Sequence, residues 1–158
     1  MKLLATDYPS PGTVNHYRID SEKRRWVEEY EGKVGLMDLK MMIGAMASDP
    51  CWSSNLHGLI DFSDVELDLS ANDILRLALV LKHEEHRTQG WLVYVANNST
   101  VFGIVRMLSY WSRNSERLRI FNTREEAETW LDLNIDQTPP NFCEVESIEP
   151  ETVLRYVI

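Results

Sequence analysis

Residues 57–82 constrain this chain more than any other stretch: a short apolar run, Leu59-Ile60-Asp61-Phe62, stops at an acidic turn and gives way to a long helical pattern from Ala71 onward. The run is too short for a helix, so it reads as the strand of a β-turn-α unit. The residues after it space their apolar side chains at three and four, as a helix packed on that strand requires. The same grammar returns twice downstream. Residues 91–96 (Trp-Leu-Val-Tyr-Val-Ala) precede a helical pattern over 100–113, and residues 118–121 precede one over 124–133. Three successive strand–helix units call for right-handed crossovers and a mostly parallel sheet.

Upstream, residues 13–20 and 24–31 read as two strands joined by Ser21-Glu22-Lys23, with Tyr17 and Ile19 sharing one face and Trp26 and Tyr30 another. A helix over 35–48 stops at Asp49-Pro50 because proline cannot continue it, and Leu36, Leu39, Ile43, Met46 and Ala47 form its inner face. The helix over 71–86 turns Ile74, Leu77, Ala78 and Leu81 to the core. Leu75, Leu79 and Val80 widen its apolar arc, so a neighbouring helix or a second subunit should cover another side. Thr123 and Glu126 make a capping box for the last helix. The expected fold class is α/β: a mixed, mostly parallel five-stranded sheet opened by a hairpin, with about four helices packed on it. The domain spans 13–133, after an N-terminal arm at 1–12 and before an acidic extension at 134–158 that holds strand-like pieces at 142–148 and 152–158.

Charge limits the partners. Of the chain's net −9, residues 123–151 contribute −8, with nine acids against Arg124 alone. That density repels a duplex, and no basic stripe elsewhere offsets it, so nucleic acid is excluded as an expected partner. Cys51 and Cys143 are too few for a disulfide framework and lack metal-ligand spacing, which makes a reducing cytoplasm the expected location. No apolar run approaches the ~20 residues that span a bilayer.

The sequence offers no chemistry that survives inspection. Asp64, Glu66, Asp68, Ser70 and Asn72 alternate like calcium-loop ligands, but Leu69 stands where the loop needs glycine and Leu75 where it needs glutamate. His83-Glu84-Glu85-His86 spaces its histidines at three, whereas a zinc protease helix needs four, and a solvated helix end explains it. His16 and His57 read as strand residues with no special role. No glycine-rich phosphate loop, Gly-x-Ser-x-Gly elbow or Cys/His nucleophile pair is present. The expectation is no catalytic residue, no metal and no cofactor.

Two surfaces stand out instead. In the helix over 35–48, Met37 and Met41 lie away from the core face, where methionine suits an adaptable contact. In the helix over 100–113, Val101, Ile104, Val105 and Leu108 face inward while Phe102, Met107, Tyr110 and Trp111 spill onto other sides beside Arg106 and Arg113, with Arg117 and Arg119 following. Aromatics bordered by arginines suit a protein hot spot or an interfacial helix.

The order of elements resembles the STAS/SpoIIAA-like fold of bacterial anti-anti-sigma proteins and their stand-alone relatives. Gly58-Leu-Ile-Asp-Phe-Ser-Asp-Val and Leu69-Ser70-Ala71-Asn72 resemble the strand, acidic turn and serine-started helix of STAS domains. Ile120-Phe-Asn-Thr-Arg-Glu-Glu-Ala-Glu-Thr-Trp-Leu131 is similar to the ending of the stand-alone SpoIIAA-like group, some of which share the shape of CRAL-TRIO lipid carriers. The resemblance covers 13–133 and implies a non-enzymatic module that docks a protein partner, with peripheral membrane contact and homodimerisation as further expectations. The alternative is a carrier or sensor of a small apolar ligand or lipid held between helices 35–48 and 100–113. Where anti-anti-sigma proteins carry Asp-Ser-Ser-Gly with a phosphorylated serine, this chain has Leu69-Ser70-Ala71-Asn72. Ser70 is thus the candidate phosphorylation site, and an S-x-x-D helix cap with Asp73 is its plain explanation.

Overall fold

The computed structural model describes residues 15–82 and 88–137. Within them, β1 (His16–Asp20) and β2 (Arg25–Gly35) form the hairpin, followed by α1 (Leu36–Ala47), β3 (His57–Asp68), α2 (Ala71–Lys82), β4 (Leu92–Val95), α3 (Ser99–Trp111), β5 (Leu118–Phe121) and α4 (Arg124–Asn134). The strands make one five-stranded sheet in the order β1-β2-β3-β4-β5, antiparallel only between β1 and β2. It is the mixed, mostly parallel α/β sheet that the hydrophobic periods require.

Strand order follows chain order, so every right-handed crossover steps the same way and lays its helix on the same face. α1, α2 and α3 therefore form one layer, with α2 packed against both of the others. α4 follows β5 and folds back under the opposite face against β3, β4 and β5. The pleat sorts the side chains accordingly. Tyr17, Trp26, Tyr30, Ile60, Phe62, Tyr94 and Leu118 face the three helices, whereas Val27, Leu59, Val93 and Val95 meet Ala127 and Leu131 of α4.

Several expectations need correction. The acidic stretch after Phe62 is not a turn: β3 runs on to Asp68 because β2 also runs on to Gly35 and pairs with it, Gly32 opposite Val65 and Val34 opposite Leu67. The register shifts between Glu29 and Glu31, where two residues of β3, Phe62 and Ser63, oppose the single Tyr30 of β2. This bulge reverses which residues face in, so Val65 turns to the core while Asp64, Glu66 and Asp68 stay exposed. Of the residues that mimicked a calcium loop, Asp64, Glu66 and Asp68 lie on the wet face of β3, while Ser70 and Asn72 belong to the start of α2. In α1, Met42 joins Leu39, Ile43 and Met46 in the core, while Leu36 and Ala47 are only half-buried. The arm at 1–12, the His83–His86 cluster and the strand-like pieces at 142–148 and 152–158 lie outside the described residues.

Candidate docking site

α3 begins where the Asn98 side chain accepts the Val101 amide at 2.9 Å, and its inner face of Val101, Val105 and Leu108 is fully buried. That anchoring leaves the opposite side exposed among the described residues: Phe102, Met107 and Tyr110 are 42%, 38% and 66% exposed. α3 packs on α2 and β3, β5 is the last strand of the sheet among the described residues, and a groove of about 610 Å³ opens between α3 and that sheet edge. Its lining includes Phe102, Arg106, Met107, Tyr110 and Trp111, five of the seven surface residues singled out in the sequence. The Arg106 guanidinium lies 5.9 Å from the Phe102 ring centroid, and Trp111 is partly buried against the core.

A second groove, about 410 Å³, borders the same edge strand from the α4 side, lined by Phe121, Trp130 and the exposed Leu133 with Glu125 and Glu126 at its rim. Arg119 sits between the two. Its guanidinium stacks on Trp91 at 4.9 Å and Trp130 at 5.8 Å, and it donates to the carbonyls of Glu116 and Leu118. Among the described residues, Arg106, Arg113 and Arg119 have no carboxylate within ion-pair distance.

Other sequence-selected residues go elsewhere. Met37 and Met41 are exposed on α1, and α2 packs between α1 and α3, so they are not brought together with Phe102 and the cleft expected between those two helices is filled. Arg117 is buried, not projecting; it donates to the Thr88 carbonyl beneath the turn that follows α3. Ser70 is exposed at the start of α2, where its hydroxyl accepts the Asp73 amide at 3.1 Å and the Asp73 carboxylate accepts the Ser70 amide at 3.0 Å. That reciprocal pair is a complete capping box. Among the described residues, no group of three or more His, Cys, Asp or Glu side chains is arranged to hold a metal ion.

Two buried titratable groups escaped the sequence reading. Glu28 sits in the three-helix core, accepting from Trp26 Nε1 at 2.8 Å and from the Tyr30 hydroxyl at 2.5 Å. Burial pushes its carboxyl above the ordinary 4.5, against the pull of those two donors. The signal was available: period two places Glu28 on the same face as Trp26 and Tyr30. His57 is also more than a strand residue. Its Nδ1 accepts the Trp91 amide at 2.9 Å and its Nε2 donates to the Ile135 carbonyl at 3.1 Å, tying β3, β4 and the end of α4 together. Both nitrogens are committed to the neutral ring, and burial, with Arg24 and Arg25 adding to it, lowers its pKa below 6.5.

No family model matches the chain, and no curated protein matches it. A solved structure does: an uncharacterized protein of the DUF3478 family with a SpoIIAA-like fold, from Shewanella loihica PV-4. The two align with a TM-score of 0.50 at 16% identity, over 83% of this chain and 98% of the other. At that identity the likeness concerns the fold, which is SpoIIAA-like.

Proposed function

We propose that this SpoIIAA-like domain is a non-enzymatic interaction module that docks a protein partner through the α3–β5 face. One observation carries the reading: Phe102, Met107 and Tyr110 stand exposed over a groove whose bordering arginines have no acidic partner among the described residues. A central apolar cluster ringed by arginine is where interface energy concentrates. Tyr110→Glu and Arg106→Glu both change side chains that the fold does not use. Each should abolish capture of the partner recovered with the native chain while circular dichroism stays unchanged. Capture that survives both substitutions sinks the proposal.

The same substitutions discriminate other uses of this face. Loss of co-sedimentation with anionic vesicles would assign it to a membrane surface, and loss of self-association in light scattering would assign it to a homodimer. A second reading, a carrier of a small apolar ligand, has the groove's volume in its favour, about 610 Å³. That lies within the roughly 300–1,000 Å³ of ligand pockets. Native mass spectrometry of purified protein that shows extractable lipid would favour it.

A further inference from the structure

The backbone of β5 has a direction that the groove alone does not reveal. Leu92 N–H donates to the Arg117 carbonyl at 2.9 Å and Ala96 N–H to the Phe121 carbonyl at 2.9 Å. The parallel ladder alternates, so Arg119 and Phe121 turn their peptide groups toward β4, while Leu118 and Ile120 turn theirs outward from the edge. The side chains alternate across the other axis. Leu118 and Ile120 border the α3 groove, and Phe121 borders the α4 groove. Among the described residues no strand pairs with this edge, though its Leu118 carbonyl already accepts from Arg119 Nη1 at 2.8 Å. An added strand would pair with the Leu118 and Ile120 amides and the Ile120 carbonyl and send alternate side chains into the two grooves.

The chemistry of the two grooves differs. The α3 side presents Arg106 beside Phe102, Met107 and Tyr110, whereas the α4 side presents Phe121, Trp130 and Leu133 with Glu125 and Glu126 at the rim. An acid is favoured on the first and repelled on the second; an aliphatic side chain fits the second. A second copy of this chain is the wrong occupant, since pairing edge to edge would set Arg106 and Arg119 against their own duplicates. Resting on the docking function above, we infer that the partner supplies an extended segment that adds to the free edge of β5, with acidic side chains toward α3 alternating with apolar ones toward α4.

The test uses the full chain and an acetylated, amidated octapeptide of alternating glutamate and valine as the probe. The peptide should bind, slow hydrogen exchange at the Leu118 and Ile120 amides, and lose at least about tenfold in affinity to Arg106→Glu or Arg119→Glu. A lysine–valine peptide should not bind. Methylating the peptide backbone nitrogens at one alternate set of positions should abolish binding, while the other set leaves it intact. Equal binding of the two methylated forms, or an acidic helical peptide that binds without protecting Leu118 and Ile120, overturns strand addition and leaves the docking function standing. Leu118 and Ile120 amides already protected in the isolated chain and indifferent to the peptide would show the edge occupied by the chain itself, and would overturn the inference. No change in α3 or β5 signals with any probe counts against both.

Discussion

The two faces of the sheet solve the same covering problem with unequal means. Three helices lie over one face, and its apolar core extends from Tyr17 to Leu118 and encloses the carboxyls of Glu28 and Asp49. One helix lies over the other, and only the strip under α4 is apolar: Val27, Leu59, Val93 and Val95 against Ala127 and Leu131. Beyond that strip the face becomes ionic. Arg124 donates to Asp61 at 3.0 Å and Glu128 at 2.9 Å and stands 3.8 Å from Glu29, which in turn lies 3.4 Å from His16. Burial pulls the Arg124 guanidinium down, but its carboxylate acceptors outweigh that and hold it above its ordinary value. A parallel sheet is stable only where its faces are covered, and where a helix is missing, charge replaces it.

The largest expected effects break one face at a time by removing space. A Cβ on Gly58 would enter the Trp26 indole on the three-helix side, and one on Gly90 would come within 2.6 Å of the Leu56 carbonyl and 2.8 Å of His57 Nδ1 on the other. Gly58→Ala and Gly90→Ala should each cost about 2–3 kcal/mol in chemical denaturation. The Gly90 change should be the harder to absorb, because backbone cannot swing aside as an indole can. Either variant melting like the native chain would contradict the packing described.

Cavity formation is next. Leu131 is fully buried in the one helix of its face, and Leu131→Ala should cost about 3 kcal/mol. Leu77→Ala in α2 removes as much, but α1 and α3 flank that helix. Hydrogen exchange should therefore speed up selectively in α4 for Leu131→Ala, and globally for Leu77→Ala. Identical exchange patterns would erase the proposed inequality of the faces.

The buried acid and the buried base give the faces opposite pH responses. Glu28 has its pKa raised from 4.5, so the folded state holds the extra proton and stability falls as pH rises from about 4.5 through the raised value. His57 has its pKa lowered from 6.5, so the unfolded state holds the extra proton; its contribution is complete above 6.5 and is lost as pH falls through the lowered value. Glu28→Gln should flatten the first slope and His57→Gln the second, in denaturation curves taken across pH. A native-like profile in either variant refutes the assignment for that residue. The smallest effect belongs to the half-exposed ionic network: Arg124→Ala should cost under about 1 kcal/mol and vanish in high salt.

Legibility in the sequence followed the range of the interaction. Periods of two and of three to four placed five strands and four helices in order, because a strand or helix face is written in residues a few positions apart. The same periods exposed Phe102, Arg106, Met107 and Tyr110 on α3, and the groove gathers them. Periodicity could not show that β3 continues past Phe62, since only pairing with β2 keeps an acidic stretch extended. Nor could it show that Met37 and Met41 are cut off from Phe102, which depends on which helix lies between.

The sequence by itself determined the elements, their order and the faces that each turns inward, because those are set by local spacing and by the handedness of the chain. Only the tertiary structure decided what crosses the sheet: Glu28 among aromatic donors, His57 binding three elements, and an edge strand that, among the described residues, pairs only with β4 and lies between two grooves. Each of those depends on partners tens of residues away, and a chain reveals such neighbours only once hydrophobic burial has brought them together.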